Sequence, residues 1–281
     1  MSFMQAVLDY GFMQRALVAI LLASLLCGVL GSLVVVNRLV LMAGGISHAA
    51  YGGVGLAIFM GWPVLPSVTG FSMATAGSIA VLTKGGRLHS DAVIGILWSF
   101  GMAAGVLLLD LTPGYNVDLM SYLFGSLLAI PISDLWLMLG IALSLTVLVA
   151  VAYPGLVMIS VDPEHARSRG ISVTALYVIL LLMIALGVVV LMRVAGLILV
   201  IALLTIPAYM AEQKSSSLLK MMLRATGWSL LFCVSGLVLA FHLGLTTGPA
   251  IVAIAAVAFF GQKMQSLLAR MIYQSRQKRL V

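Results

Sequence analysis

Residues 15–37 read RALVAILLASLLCGVLGSLVVVN, and between Ala16 and Val36 the only polar side chains are Ser24 and Ser32. An α-helix rises about 1.5 Å per residue, so this run covers the roughly 30 Å of hydrocarbon in a bilayer. No small-residue cleavage site accompanies it, and further apolar runs come directly after it, which distinguishes a membrane helix from a secretory signal peptide. The stretch therefore predicts a transmembrane helix.

Runs of the same kind repeat along all 281 residues, of which 63% are hydrophobic and 8% charged. A water-soluble domain cannot bury so much apolar surface, so the sequence predicts an all-α membrane protein in contact with the lipid bilayer. It predicts one polytopic domain over 1–281 with about eight or nine transmembrane helices. Residues 119–130 form an apolar piece too short to cross, which indicates a half-helix. The working count is nine spans, at 15–37, 42–60, 65–83, 91–111, 134–153, 172–192, 194–210, 225–244 and 249–264.

The formal net charge of +7 is scattered between the spans and concentrated at the C-terminus, so no nucleic-acid partner is expected. If the chain changes sides at each span, all but two of the 15 Lys and Arg residues fall on one face. Cytoplasmic loops carry such an excess, which predicts a multi-pass protein of the bacterial plasma (inner) membrane with its N-terminus outside and a basic cytoplasmic tail at 263–281. The residues on the cytoplasmic face are Arg38, Lys84, Arg87, Arg167, Arg169, Lys214, Lys220, Arg224, Lys263, Arg270, Arg276, Lys278 and Arg279, and the other face has Arg15 and Arg193.

Three acidic side chains fall on the outer side in this arrangement, around the predicted half-helix. Asp110 and Asp118 are candidates for an acidic outer mouth that would attract a cation, and Asp134 follows the half-helix. Ionisable groups near membrane depth are often functional. Exposed loop carboxylates are also common, so both interpretations stay open.

The segment 157–172 contains the sizeable polar stretch SVDPEHARSRG at 160–170, and it predicts a short helix on the cytoplasmic side. Asp162 is a candidate N-cap, Pro163 fits the first helical position, and Gly170 is a plausible stop. Such a helix could receive force from a cytoplasmic motor or could be a plain connector, and the spacing leaves both open. The residues that would contact such a motor are Asp162, Pro163, Glu164, His165, Ala166 and Gly170.

The helix predicted at 42–60 combines a histidine with small residues at four-residue spacing. Small residues allow another helix backbone to approach closely. Imidazole binds zinc, copper, iron and nickel, so His48 is a candidate metal ligand in a translocation pathway. A core histidine bonded to a neighbouring carbonyl is the structural alternative. One stripe is Gly45, Ala49, Gly53 and Ala57, its neighbour is Gly44, His48, Gly52 and Leu56, and the predicted pathway positions are Gly44, Gly45 and Gly52.

Sequence motifs for catalysis or nucleotide binding, such as GxSxG, Walker A and GxGxxG, are absent. Ser47 and His48 are helical neighbours that face about 100° apart, which opposes an intramembrane hydrolase using them as a catalytic pair. We therefore predict no catalytic residue and no enzyme activity, with ATP hydrolysis in a separate partner. Cys27 and Cys233 lie within predicted spans and are expected to be buried free thiols.

Several of these segments, in the same order, resemble the membrane permeases of zinc, manganese and iron(II) ABC importers, and the similarity extends along the whole chain. The segment 36–50 is similar to that family's arginine turn and following Gly-Asp-x-x-x-His-Ala helix. The segment 117–130 is similar to its outer Leu-Phe-Gly element, and 162–170 to its coupling loop. The segments are VNRLVLMAGGISHAA at 36–50, VDLMSYLFGSLLAI at 117–130, VAGLILVIALLTIPA at 194–208 and the pair Gly248–Pro249.

The resemblance implies a permease homodimer with its pathway on the two-fold axis, cytoplasmic ABC ATPase subunits below and an extracytoplasmic metal-binding protein above. It implies that 162–170 docks on the ATPase, that two copies of His48 face one pathway, and that the chain binds no permanent cofactor. Members of this family have a carboxylate residue four positions before this histidine, and in this sequence that position is Gly44. A site with imidazole alone favours zinc as the transported ion, with manganese or iron(II) next.

Two other transport functions remain as alternatives. One is an ABC permease for a chelated metal, a siderophore or a corrinoid, because Gly44 suggests a wide pathway with few ligands. The other is a secondary transporter that runs on ion gradients.

Overall fold

The computed structural model describes residues 3–83, 90–113, 125, 127–196 and 199–277, with side chains for all of these except 193, 195 and 268–277. These residues form a bundle of α-helices, which confirms the predicted class of fold. The helices are α1 Phe3–Asp9, α2 Gly11–Val36, α3 Val40–Met60, α4 Val64–Leu82, α5 Ser90–Asp110, α6 Ile132–Val161, α7 Pro163–Ser168, α8 Val173–Ala195, α9 Val200–Glu212, α10 Leu218–Leu243 and α11 Thr247–Gln277.

Eight of the described helices are long and apolar enough to cross a membrane: α2, α3, α4, α5, α6, α8, α10 and α11. The working count of nine spans includes one, at 194–210, that is not among these eight. The predicted span at 194–210 is the 13-residue helix α9. At about 1.5 Å per residue it measures only about 20 Å, too short for a bilayer core.

Two further boundaries differ from the sequence-based expectation. Helix α6 runs on to Val161 through Pro154, eight residues past the predicted end, because a transmembrane helix tolerates proline when neighbouring groups satisfy the freed carbonyl. The predicted half-helix at 119–130 falls mostly outside the described residues. Its described part is Gly125, which has a positive φ, and one 3-10 turn at Leu127–Ala129.

The core of the bundle lies on α2 and α3. In the most apolar 18-residue stretch of each helix, 72% and 78% of the residues are buried. The outer helices α5, α6 and α11 expose large apolar side chains such as Phe100, Val151 and Val257. Exposed apolar bands of this length are stable only in contact with lipid or with other apolar protein surfaces. The structure thus has the exterior of a membrane protein.

Glycines bring α3 into direct backbone contact with its neighbours. A Cβ on Gly52 of α3 would lie 2.9 Å from the Gly101 carbonyl of α5, and a Cβ on Gly53 would lie 2.8 Å from Cα of Val68 on α4. A Cβ on Gly55 would clash with the backbone of Gly105 on α5. The close helix approach predicted from the small-residue stripes is present, and it holds α3 between α4 and α5.

Helices α8 and α9 meet α2 at adjacent residues. A Cβ on Gly187 of α8 would collide with Leu30, and a Cβ on Gly31 would collide with the carbonyl of Leu204 on α9. At about 1.5 Å per residue, α8 continues for about 12 Å beyond Gly187, and α9 begins about 6 Å before Leu204. The buried Gly196, which directly follows α8, therefore lies level with the middle of α2 and inside the bundle.

Side-chain contacts between distant segments define one end of the bundle. Asn37 donates to Ser160 at 2.9 Å, and the Leu219 amide donates to the Tyr153 hydroxyl at 3.0 Å. We call this the basic end, because the described Lys and Arg residues near it are Arg38, Arg167, Arg169, Lys214, Lys220, Arg224 and Lys263. The opposite end has the turns at Tyr10, Gly61 and Gly244 and the C-terminus of α5.

Candidate functional site

His48 lies one helical turn beyond Gly44 on α3 and is partly buried. Its imidazole stacks on the indole of Trp98 of α5, with ring centroids 4.1 Å apart and planes 5° from parallel. Trp98 Nε1 points to Met102 Sδ at 3.2 Å. The parallel course of α3 and α5, set by their glycine contacts, is what brings the two rings to the same level. Sequence analysis missed Trp98, because it is fifty residues away on another helix.

The three glycines predicted to line a pathway are buried against neighbouring helices of the same chain. A Cβ on Gly44 would lie 2.8 Å from Cδ1 of Ile201 on α9, and a Cβ on Gly45 would clash with Ile94 on α5. Gly52 faces the backbone of α5 and the ring of α4 Phe71. Of these three glycines, Gly44 is the one whose added Cβ would meet only the flexible end of a side chain. A larger residue therefore fits most easily at Gly44.

His48 is the one candidate metal-binding histidine that the described residues place inside the bundle. His165 is exposed on α7, and His242 is exposed near the end of α10, where its Nδ1 lies 2.9 Å from the Val238 carbonyl. His89 lies outside the described residues. Within the described part of the chain, no three His, Cys, Asp or Glu side chains come together in a way that could hold a metal ion. These residues thus offer one imidazole at this level.

The predicted acidic outer mouth is only partly described. Asp110 is exposed at the C-terminus of α5, at the end opposite the basic end. Asp134 is largely buried in the first turn of α6, and its backbone amide donates to the Pro131 carbonyl. Asp118 lies outside the described residues.

The helix expected within 157–172 is present as α7. The Asp162 carboxylate accepts hydrogen bonds from the amides of Glu164 and His165, both at 3.0 Å, and Pro163 occupies the first helical position. Both features satisfy or avoid backbone donors that a helix N-terminus leaves free. The N-cap and the start of the helix are therefore those that the sequence predicted.

The C-terminus of α7 is closed by a Schellman motif. Gly170 has φ +78°, the Ile171 amide donates to the Ala166 carbonyl, and the Gly170 amide donates to Arg167. Ala166 is buried, whereas the other residues from Asp162 to Gly170 are exposed. The helix is thus a projection at the basic end that is capped at both ends and has Ala166 as its one buried residue, so its polar surface is exposed to another protein.

Comparison with known proteins agrees with this architecture. The sequence model of the ABC 3 transport family matches residues 9–266. An uncharacterized membrane protein of Synechocystis is 43% identical over 90% of both chains, and the manganese transport system membrane protein MntC of Listeria innocua is 32% identical over 92% of both. Among solved structures, PsaBC from Streptococcus pneumoniae in complex with Fab superposes with a TM-score of 0.83 at 27% identity, covering 92% of this chain and 93% of that one.

The match of the ABC 3 transport family along almost the whole chain defines this multi-pass bundle as a membrane transport component. The chain belongs to the ABC 3 transport family and is a permease homologous to metal-importer permeases.

Proposed function

We propose that this chain is the transmembrane permease of an ATP-driven importer for a divalent transition metal ion. The observation that carries the proposal is the full-length likeness to a manganese transport permease. Two features of the structure support the proposal, the imidazole of His48 on a helix inside the bundle and the exposed, capped helix α7 at one end. Hydrolysis of ATP belongs to a separate subunit, and this chain performs no chemistry.

The assembly that fits these parts is a homodimer in the bacterial inner membrane. Cytoplasmic ATPase subunits bind α7 at the basic end, and an extracytoplasmic metal-binding protein delivers the ion at the opposite end, near Asp110 and Asp118. The excess of Lys and Arg supports a cytoplasmic location for the basic end. With that orientation the N-terminus lies outside and the tail at 263–281 inside.

The metal is transported cargo, and the permease holds it weakly. One imidazole from each of two chains gives fewer ligands than the four of a structural zinc site, so the ion can leave again. ATP binding and hydrolysis move α7, and the helices then open the pathway at His48 alternately to the two sides. Weak binding is an advantage here, because a tight site would retain the ion.

Zinc is the cargo that the ligand chemistry of His48 favours. The neighbour of Gly44 is the apolar Ile201, so the described residues add no carboxylate one turn before the histidine. Manganese prefers oxygen ligands, whereas imidazole suits zinc and iron. Manganese and iron(II) come next, manganese because of the relative named for its transport.

The test is metal uptake into proteoliposomes that contain the permease and its ATPase, with zinc, manganese and iron(II) measured separately. We expect His48→Ala to reduce uptake at least about tenfold, the loss typical when a group that supports a metal site is removed. Gly44→Asp should shift the preference from zinc toward manganese. His242→Ala is the matched control, because that exposed imidazole is near the end of α10.

Unchanged uptake of free ions in both His48→Ala and Gly44→Asp would rule out the role of His48. Uptake of a chelated metal but of no free ion would instead support a permease for metal chelates, siderophores or corrinoids. Uptake that follows an ion gradient and ignores ATP would identify a secondary transporter.

A further inference from the structure

Ser160, which lies three residues before the start of α7, is hydrogen-bonded to the turn between α2 and α3. Asn37 Nδ2 donates to the Ser160 hydroxyl at 2.9 Å and to the Leu33 carbonyl at 2.8 Å. The Ser160 hydroxyl donates its own proton to the Leu156 carbonyl at 2.7 Å, so its oxygen acts as the acceptor for Asn37. Ser160 lies two residues before Asp162, the N-cap of α7. The arm that leads into the exposed helix is thus bonded directly to the α2–α3 turn.

The arm that leaves α7 reaches the same region. The Tyr177 hydroxyl of α8 points to Sδ of Met42, in the first turn of α3, at 2.9 Å. A thioether is a weak acceptor, so this contact contributes mainly packing. The arm before α7 is therefore bonded to the α2–α3 turn, and the arm after it contacts the first turn of α3.

The α2–α3 turn is tight and conformationally restricted. Arg38 has φ +58°, the left-handed region that favours glycine. The Leu39 amide donates to Val34 and the Arg38 amide to Val35, the two bonds of a Schellman motif. With three residues between the helices and their backbone groups bonded, a displacement of Asn37 is passed to the start of α3. His48 follows about two helical turns later.

We propose that Asn37 and Ser160 are positioning residues that pass the displacement of α7 to α3, and thereby to the stacked rings of His48 and Trp98. This inference rests on the proposed function, because the ATPase has to move α7. Neither residue touches the ion. Their hydrogen bond joins segments 123 residues apart in sequence, and it lies between the surface that receives force and the helix that holds the imidazole.

The experiment measures two quantities in the same proteoliposomes, the metal ions taken up and the ATP molecules hydrolysed by the permease–ATPase complex. Asn37→Ala and Ser160→Ala should each lower the number of ions moved per ATP by roughly two- to tenfold, the range expected for loss of one neutral hydrogen bond. ATP hydrolysis should continue in both variants. A residue that only stabilises the fold would reduce uptake and hydrolysis together and leave their ratio unchanged.

Conservative variants and a matched control sharpen the test. Ser160→Thr keeps the hydroxyl and should retain the wild-type ratio. Asn37→Leu keeps about the same size but can neither donate nor accept a hydrogen bond, so it should resemble Asn37→Ala and serves if the alanine variant fails to assemble. Ser144→Ala removes another hydroxyl of α6, one that bonds to the Ile141 carbonyl of its own helix, and it should leave the ratio unchanged.

The double variant Asn37→Ala/Ser160→Ala should lower the ratio no further than Asn37→Ala alone, because that change already removes the bond to Ser160. Losses that multiply, or a normal ratio in both Asn37→Leu and Ser160→Ala, would overturn the inference. Failure of the proposed function is seen separately, since the wild-type complex would then show no ATP-dependent metal uptake at all.

Discussion

The imidazole of His48 lies flat on the indole of Trp98, with ring planes 5° from parallel. Both rings belong to helices that glycine contacts hold together, Gly52 against Gly101 and Gly55 against Gly105. A ring nitrogen binds a metal ion in the plane of the imidazole. Contact with a broad aromatic face on one side therefore fixes the plane in which His48 can offer its nitrogens.

Trp98→Ala should raise the KM for metal uptake about two- to tenfold, because a stacked aromatic pair is worth about 0.5–1.5 kcal/mol. The maximal rate should change less, since the helices and their contacts are retained. Trp98→Phe keeps a flat aromatic face and should stay close to wild type. An unchanged KM in Trp98→Ala would show that the stack does not orient His48 for the ion.

Gly55→Ala should destabilise the folded permease by about 1–3 kcal/mol, the usual cost of overpacking. The new methyl group would clash with the Gly105 backbone of α5, which cannot rotate away as a side chain can. Thermal unfolding in detergent measures the effect. Gly70→Ala is the control, because a Cβ there meets nothing within 4 Å, and in a helix that change is neutral or stabilising by about 0.5–1 kcal/mol. Equal melting temperatures for the two variants would contradict the close α3–α5 contact.

Asp162→Ala should destabilise α7 by about 1 kcal/mol, because it removes the acceptor for two backbone amides. The amides of Glu164 and His165 should then exchange their hydrogens roughly fivefold faster, while global stability changes little. Asp162→Ser retains a capping oxygen and should restore most of the protection. If exchange at these two amides is the same in the alanine variant, the carboxylate is not the cap in solution.

Arg38→Gly should stabilise the α2–α3 turn by about 0.5–1 kcal/mol, because the left-handed conformation strains any residue with a Cβ. Thermal unfolding would measure the gain. Arg169→Gly is the matched control, since that exposed arginine ends α7 with φ −85°, which arginine adopts freely. There the same change should give no gain. A lower melting temperature for Arg38→Gly than for Arg169→Gly would contradict the assigned backbone strain.

Single cysteines should report the orientation of the bundle. Cys27 and Cys233 are buried, so a membrane-impermeant maleimide should leave them unlabelled in intact cells. Thr246→Cys, in the exposed turn after α10, should react from outside, whereas Ser168→Cys at the end of α7 should react only after the cells are opened. Labelling of Ser168→Cys from outside would place α7 on the side of the membrane opposite the ATPase. That result would contradict the proposed import function.

The sequence predicted the features that depend on residues close together in the chain. The cap of α7 depends on contacts within three residues of Asp162, and the transmembrane helices depend on length and composition. The short length of α9 was not predicted, because 194–210 is as apolar as a true span. Its length is limited by the break at Gly196, where φ is +81°, and nothing in the flanking apolar residues marks that break.

The contacts that give His48 its surroundings could not be predicted, because they join helices far apart in sequence. Trp98 becomes its partner only because Gly52 and Gly101 set α3 beside α5 in one register. The bond between Asn37 and Ser160 likewise depends on where α6 ends. Pattern analysis of one sequence finds the stripe of small residues but does not say which helix packs against it.

The short length of α9 has a consequence for synthesis. A 13-residue helix is too short to cross the bilayer as an independent segment, so we expect α8 and α9 to enter the membrane together. The surface that receives them, Leu30 and Gly31, is made long before they emerge. An obstruction at that surface should therefore appear as degradation of the newly made chain, before any defect in transport can be observed.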